Sequence, residues 1–291
     1  MTATESGTGG TLYVVATPIG NLGDITLRAL EVLRRVPLIA AEDTHHTRRL
    51  LDHHAVATPM TSYHAQSAAA RMVALVEHLR GGADLALVTD AGTPSVSDPG
   101  GELVATWAAE GGTIVPVPGA SAVLAAVAGS GVAGPRWAFE GFLPRSGRAR
   151  HERLARIAAD DRGTIVYEAP TRVAATLRDL AEACGADRPG AICRELTKLH
   201  ESIVRGSLGD LAAAAGPGGR VPARGEFAIV VGDWRGGRPP DVADEASALA
   251  DAQAEVEALV AAGVARGDAA RRVAAATGLP RRRLYGLDTP R

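Results

Sequence analysis

The sequence predicts an α/β protein with two sheet-containing domains and a small helical extension at its C-terminal end. Short apolar runs alternate with segments of helical periodicity in the first part of the chain, which indicates a mainly parallel sheet covered on both faces. After the Gly- and Pro-rich stretch "GSGVAGP", several strands follow one another through short connections, which favours a mixed sheet. A length of 291 residues suits about two domains.

The composition of short segments and the Gly- and Pro-rich stretches predict where the domains begin and end. The stretch "MTATESGTGG" lacks a basic start and an apolar core, so residues 1–10 predict a disordered tail and not a signal peptide. The first domain is expected over 11–122, the second over 123–235, and a linker with the helical extension over 236–291. No run of 18 apolar residues predicts a membrane span, and we expect a cytoplasmic protein.

Four apolar runs predict the strands of the first domain: "LYVVA", "LIAAED", "LALVTD" and "TIVPVPGAS". Between them, Leu27, Leu30 and Leu33 recur at helical spacing in "TLRALEVLRRV". Two more helices are expected in "GELVATWAAEG", which a glycine closes, and in "SAVLAAVAG".

The second domain is predicted to contain four strands: "RWAFEGFLP", "GTIVYEA", "RPGAICREL" and "GEFAIVVGD". Its helices are "RARHERLARIAAD" and "TRVAATLRDLAEAC". In the extension, Asp268 could cap a helix, Gly278 could end it and Pro280 could open another. Two interpretations of this helical pair stay open: docking on the body of the protein, or contact with nucleic acid through its arginines.

Three loops rich in Gly, Pro, Ser and Thr follow predicted strands of the first domain: "TPIGNLGD", "DAGTPSVSDPGG" and "PVPGAS". Ligands bind at the carboxyl ends of parallel strands. Asp24, Asp43, Asp90 and Asp98 lie in or beside the strand ends, whereas phosphate loops rely on backbone N–H groups and avoid carboxylates. A ligand with hydroxyl groups or positive charge is therefore favoured, and S-adenosylmethionine has both. The alternative for Asp24 and Asp98 is helix capping.

A set of ordered motifs resembles the ribosomal RNA small-subunit methyltransferase I family, which is similar to the tetrapyrrole methylases. The motifs are "VVATPIGNLGDITLRAL", "AEDT", "LVTDAGTPSVSDPG", "PVPGASAV", "EGFLPR" and "RELTKLHE". The resemblance implies a two-domain tetrapyrrole-methylase-like fold, S-adenosylmethionine bound in the cleft between the domains, and a homodimer. It also implies 2′-O-methylation of a cytidine ribose in the decoding region of the small-subunit (16S) ribosomal RNA.

The same resemblance implies a set of cofactor-binding residues in three groups: the first loop, the loop at the methionine end, and the residues near the adenosine. The first two groups are Pro18, Gly20, Asp90, Gly92, Thr93 and Pro94. The third comprises Leu143, Tyr167 and Glu168, and Ser121 and Ala122, after the "PVPG" turn, are also implied.

Methyl transfer to a ribose hydroxyl calls for a proton acceptor or a nearby cation. Asp90, Lys198, Glu195 and His64 are the candidates, and the sequence does not decide among them. Lys198 is the only lysine in the chain, and an ordinary surface ion pair is the alternative interpretation of it. No metal site is expected from "HHTRRLLDHH", because its histidines lack the i, i+4 spacing of a helical zinc pair.

RNA contact is expected from arginines after "GFLP", from one near "YEAP" and from the extension, since phosphate neutralisation needs such groups. These residues are Arg145, Arg148, Arg150, Arg153, Arg172, Arg281 and Arg282. A solvated helix face is the alternative for each of them. Two other functions stay open: a methyltransferase acting on a tetrapyrrole, and a non-catalytic ribosome-binding protein.

Overall fold

The computed structural model describes residues 9–64, 68–233, 242–277, 279 and 281–285. The chain divides into two compact units, Met1–Trp234 and Arg235–Arg291. Within the described ranges, no helix has both the length and the apolar character needed to cross a membrane. Residues 1–8 of the predicted tail lie outside these ranges, and the predicted boundaries inside the first unit stay predictions.

The first sheet of the larger unit is parallel throughout, as predicted. Its strands run in the order β3-β2-β4-β1-β5. They are β1 (Leu12–Val15), β2 (Leu38–Ala41), β3 (Met60–Ser62), β4 (Leu85–Val88) and β5 (Ile114–Val117). The helices that accompany them are α1 (Leu27–Arg35), α2 (Thr44–His53), α3 (Ala68–Arg80), α4 (Gly101–Ala109) and α5 (Ala122–Ser130). The central strand β4 is buried at all four positions, as expected for a parallel strand covered on both faces.

Alternating side chains of these strands feed two apolar cores, one on each face of the first sheet. Val15 and Ile39 pack on one face with Leu33 of α1. Leu12 packs on the other face with Trp107 of α4. This alternation is the two-residue period of a strand. Because β4, β1 and β5 are parallel neighbours, their carboxyl ends lie side by side.

The second sheet is mixed, which confirms the prediction from its short connections. Its order is β6-β7-β10-β8-β9; β6 and β7 are parallel, and the other neighbours are antiparallel. The strands are β6 (Trp137–Phe142), β7 (Gly163–Glu168), β8 (Pro189–Arg194), β9 (Ser202–Ser207) and β10 (Phe227–Val231). One face packs on α6 (Arg148–Ala159), α7 (Val173–Cys184) and α8 (Leu208–Ala215).

Helix α5 covers the other face of the second sheet, although it follows the last strand of the first. Its Val123 and Ala126 pack with Ile165 of β7 and Ala228 of β10. Ile19, from the loop after β1, belongs to the same apolar cluster. The loops of the first sheet are thereby held against the second sheet.

The C-terminal unit contains α9 (Val242–Ala261), α10 (Arg266–Thr277) and a short 3-10 helix over Arg281–Tyr285. Val256, Ala270 and Leu284 contribute to an apolar core of its own. Asp268 lies in the first turn of α10, so its predicted place at the cap was wrong: the helix begins earlier, at Arg266. Gly278 and Pro280 lie outside the described residues.

Candidate active site

The loops after β1, β4 and β5 meet, because these strands are neighbours in the first sheet. The backbone N–H of Thr17 donates to the carbonyl of Gly92 at 2.9 Å, and that of Gly92 donates back at 3.1 Å. The hydroxyl of Thr93 donates to the carbonyl of Ala120 at 3.4 Å. The three predicted ligand loops therefore form one hydrogen-bonded platform.

The loop after β4 has an unusual backbone. Gly92 has a φ of +84°, and a Cβ there would lie 3.3 Å from the side chain of Ile19. Ser95 and Ser97 also have left-handed φ values, 72° and 65°. Side-chain-bearing residues adopt this region at a cost of about 1–3 kcal/mol each, typically at functional sites. The packing around the loop stabilises a shape that its sequence would not hold alone.

A cavity of about 430 Å³ opens between this platform and the second sheet. From the first sheet's side, its walls are Ile19, residues 91–93 and 96–98 after β4, and the start of α5. From the second sheet's side, they are the end of β6, residues 167–170 at the end of β7, and residues 225–228 around the start of β10. Cys193 and Leu196 of the segment at the end of β8 complete it. This volume lies within the range of small-molecule sites, about 300–1,000 Å³.

The structure brings six of the sequence-predicted cofactor residues to this cavity: Gly92, Thr93, Ser121, Ala122, Tyr167 and Glu168. Pro18 and Asp90 line a smaller adjoining space beneath the loop after β1. Leu143 lies in the apolar core with α6 and α7 and is 2% exposed. Its neighbour Phe142 lines the cavity, and a contact of Leu143 with the cofactor stays a prediction.

Gly20 and Pro94, the remaining two, support the loops. A Cβ on Gly20 would lie 2.4 Å from Cγ of Lys198, so the loop after β1 packs on the aliphatic stem of that lysine. Pro94 is buried within the loop after β4, whose neighbours Thr93 and Val96 line the cavity.

Carboxyl groups cluster around Asp98, which lines the cavity. The backbone N–H of Asp43 donates to Asp90 at 3.1 Å, and that of Asp90 donates to Glu42 at 3.4 Å. Burial raises the pKa of Asp98 to about 6, and the charges of Glu42 and Asp90 add to this rise. Burial also raises the pKa of Glu42. The cluster therefore favours a bound cation or a transferable proton.

The capping alternative for these acids fails at two of them. The N-cap of α1 is Thr26, and Asp24 precedes it. The N-cap of α4 is Gly100, without a side-chain bond, so Asp98 does not cap that helix. Asp43 does cap α2: its carboxylate accepts from two backbone N–H groups of the first turn, which lowers its pKa.

Lys198 lies in a tight turn between β8 and β9. Its Nζ is 2.9 Å from Oε1 of Glu195 and 3.1 Å from Oε2 of Glu226. Burial alone would lower the pKa of Lys198, but these two hydrogen bonds raise it overall. The bond from Lys198 and the backbone N–H of Glu226 lower the pKa of Glu195. Lys198 therefore stays protonated and fixed by its two carboxylate partners, and Glu195 is a weak proton acceptor.

Glu168 and Tyr167 differ in what they can offer a ligand. The Glu168 carboxylate accepts from the Thr176 hydroxyl at 2.6 Å and from the backbone N–H of Ala169 at 2.9 Å, with Arg172 at 3.3 Å. It is therefore engaged by the protein. Burial raises the pKa of Tyr167 to about 12, so this phenol stays protonated at neutral pH.

The arginines predicted to contact RNA fall into distinct environments. Arg145 is exposed, and Arg148 is 92% exposed beside Glu152. Arg150 is buried and donates to Asp179, Thr176 and a backbone carbonyl. These internal hydrogen bonds count against an RNA contact by Arg150, which stays a prediction.

The other predicted arginines are partly engaged. Arg153 pairs with Glu140. Arg172 pairs with Glu168 and donates to the carbonyl of Leu143 at 2.9 Å. In the C-terminal unit, Arg281 is exposed and donates to the carbonyl of Gly267 at 3.2 Å. The side chain of Arg282 lies outside the described residues.

His64 follows β3 and is half-buried, and it is not among the residues that line the cavity. Its role as a catalytic candidate stays a prediction. Among the residues that the structure describes, no group of three or more His, Cys, Asp or Glu side chains is arranged to hold a metal ion.

Sequence reasoning missed several residues of the cavity. Phe142, Cys193, Leu196 and Phe227 lie in segments that look like ordinary strands and turns. Only the sheet order β6-β7-β10-β8 brings them to one cavity. Asp98 carried a usable signal, because it closes a loop whose first residues were already assigned to the ligand.

The fold resembles that of known methyltransferases. A family model described as Tetrapyrrole (Corrin/Porphyrin) Methylases matches residues 11–212. A solved cobalt precorrin-4 methyltransferase has a TM-score of 0.59 at 20% identity, covering 76% of this chain and 94% of that chain. A uroporphyrin-III C-methyltransferase from Thermus thermophilus, complexed with S-adenosyl homocysteine, has a TM-score of 0.55 at 19% identity, covering 76% and 97%. The fold and its cleft define a methyltransferase of the tetrapyrrole methylase class.

Closer relatives refine this assignment. The protein named ribosomal RNA small subunit methyltransferase I in Synechocystis sp. is 45% identical over 278 residues, which cover 96% of this chain and 97% of the relative. That of Micromonospora olivasterospora is 44% identical over 285 residues, covering 97% and 87%. The chain belongs to the ribosomal RNA small subunit methyltransferase I family.

Proposed function

We propose that this protein transfers a methyl group from S-adenosylmethionine to the 2′-hydroxyl of a cytidine ribose in the decoding region of small-subunit ribosomal RNA. The observation that carries the proposal is the cavity at the carboxyl ends of β4, β1 and β5, with carboxyl groups clustered around Asp98. The names of the relatives support an RNA substrate. Such a substrate places the reaction in the cytoplasm.

The residues present fit the proposed donor. The cavity has room for a nucleoside with an amino-acid tail, and Glu42, Asp90 and Asp98 create a negative potential that favours a cation. Ser121 and Tyr167 line the walls and are proposed to contact the donor, although the Ser121 hydroxyl also accepts from the backbone N–H of Leu124. When bound, S-adenosylmethionine supplies an electrophilic methyl group on its positively charged sulfur.

Asp98 is the proposed proton acceptor. It faces the cavity, and its carboxylate has no salt bridge among the ion pairs of the described residues. A carboxylate whose pKa lies near 6 accepts a proton better than Glu195, whose pKa is lowered. Asp98 takes the hydroxyl proton as the ribose oxygen attacks, while the cavity walls align the reactants and exclude water.

The test of the function is methylation of small ribosomal subunits isolated from cells that lack this enzyme. Purified protein and labelled donor are added, the RNA is digested, and the nucleosides are identified by mass. We expect 2′-O-methylcytidine from the decoding region. A nucleoside methylated on its base would contradict the proposal. A product on a corrin or porphyrin ring, or binding without turnover, would establish the competing functions.

Lys198 is expected to assist by its charge. Lys198→Ala should lower the rate constant of methyl transfer about tenfold, equivalent to ~1.4 kcal/mol of barrier. The effect is no larger because two carboxylates already screen the ammonium group. Lys198→Arg keeps the charge and should retain most of the rate. Single-turnover kinetics with saturating donor measure both variants, and equal rates in Lys198→Ala and wild type would remove Lys198 from the mechanism.

The implied homodimer is also part of the proposal. Light scattering of the purified protein at several concentrations measures its mass directly. A mass twice that of the 29.8 kDa chain is expected, and a mass of one chain at all concentrations would contradict it.

A further inference from the structure

An exposed aromatic ring stands at the mouth of the cavity. Phe142, the last residue of β6, is 57% exposed and lines the cavity together with Ser97, Asp98 and Tyr167. Exposure of a phenyl ring is unfavourable in water. Its placement at a ligand site calls for a functional explanation.

A strand irregularity turns this ring towards the cavity. Phe139 pairs with Ile165 and Phe142 pairs with Tyr167, so three steps along β6 match two steps along β7. The extra residue is a bulge, and Gly141 takes up a φ of +62° within it. Without the bulge, residue 142 would point to the opposite face of the sheet.

The Phe142 ring contacts Tyr167 and remains largely exposed to solvent. Its centroid is 5.7 Å from that of Tyr167, with an edge-on angle of 62°, and Phe139 contacts the same tyrosine at 4.8 Å. Edge-on contacts fix the orientation of an aromatic ring. The contact with Tyr167 therefore favours one orientation of the Phe142 ring.

Cations follow the ring along the chain. Arg145 is exposed three residues later, and Arg148 is 92% exposed although it pairs with Glu152 at 2.6 Å. The segment between them and the ring is anchored, because Arg150 donates to the carbonyl of Pro144 at 2.9 Å and Arg172 donates to that of Leu143 at 2.9 Å. An aromatic face beside exposed arginines suits a base and its neighbouring phosphates.

We propose that Phe142 is the stacking platform for the nucleobase of the nucleotide that is methylated. This inference rests on the proposed function and adds a substrate subsite to it. A base stacked on Phe142 brings its attached ribose to the cavity that Asp98 lines. Stacking is tolerant of base identity, so the platform positions the nucleotide, and the ribosomal context selects it.

The experiment compares Phe142→Ala, Phe142→Trp and the control Val73→Ala, whose residue is exposed on α3. Binding of small subunits is measured by filter retention, and donor affinity by calorimetry. Loss of one base stack is expected to weaken subunit binding about five- to a hundredfold in Phe142→Ala. Phe142→Trp should bind as tightly as wild type or better, with donor affinity unchanged in all three.

Each other result overturns the inference. Equal subunit binding by Phe142→Ala and wild type would remove the stack. A parallel loss of donor affinity would assign the ring to the donor adenine. A change of mass in light scattering would assign it to an interface between copies of the chain. If wild-type protein binds subunits without methylating ribose, the proposed function fails. The subunit affinity of Phe142→Ala still shows whether the ring stacks on a base.

Discussion

Asp98→Asn is expected to lower the rate of methyl transfer at saturating donor by about a hundred- to ten-thousandfold, the usual contribution of a general base. The amide keeps the size and polarity of the carboxylate but cannot accept the proton. Single-turnover kinetics on small subunits measure the effect. Asp24→Asn, at an exposed aspartate that is not among the residues lining the cavity, serves as the matched control and should leave the rate unchanged.

The pH profile gives an independent readout of the same residue. A base must be ionised to act, so the wild-type rate should rise with pH and level off above the pKa of Asp98, about 6. Asp98→Asn should lack this limb. If the variant keeps both the rate and the acidic limb, another group accepts the proton.

Loss of folding would not explain a slow Asp98→Asn variant. The pKa of Asp98 is raised in the folded protein, so folding disfavours its ionised form at neutral pH. A neutral amide removes that penalty, and the variant should unfold at the same temperature as wild type or a higher one. Thermal unfolding followed by circular dichroism checks this.

Arg188→Met is expected to have the largest effect on stability, lowering the free energy of unfolding by about 3–5 kcal/mol. The Arg188 side chain is 1% exposed. It donates to the carbonyls of Gly232, Ile157, Asp160 and Arg162 at 3.0, 3.4, 3.2 and 3.1 Å. Methionine fills the space but leaves these buried carbonyls without their donor.

Thermal or denaturant unfolding measures the change, with Arg178→Met as the control. Arg178 is exposed on α7, and its replacement should leave the midpoint unchanged. An Arg188→Met variant as stable as the control would mean that water replaces the guanidinium. Such a result would contradict the view that the hydrogen bonds of Arg188 stabilise the packing of the end of α6 against the end of β10.

Much of the fold could be predicted from local patterns. The apolar runs of β1, β2, β4 and β5 are bounded by turn residues, and their helices carry apolar residues at helical spacing. The strand β3 was missed because "MTS" contains no apolar run. Likewise, β9 exposes Arg205 and contains small polar residues, and its pairing with β8 alone makes it a strand.

The candidate site divides in the same way. Gly92, Thr93, Ser121 and Ala122 lie in loops whose composition already predicted a ligand, and these residues line the cavity. Whether they bind the cofactor stays a prediction. Arg150 shows the limit of such reasoning: "PRSGRARHER" looked like a basic surface, yet one arginine of it turns inwards to Asp179.

Turn chemistry and hydrophobic spacing are properties of short segments, and they suffice to place the loops after β1, β4 and β5 and to suggest a positively charged ligand. The pKa of Asp98 and the orientation of Phe142 depend on segments far apart in the chain. The raised pKa of Asp98 needs its burial and the nearby charges of Glu42 and Asp90. Phe142 needs a bulge that exists only when β6 pairs with β7. Desolvation and strand register arise from packing, so these two features appear only in the folded molecule.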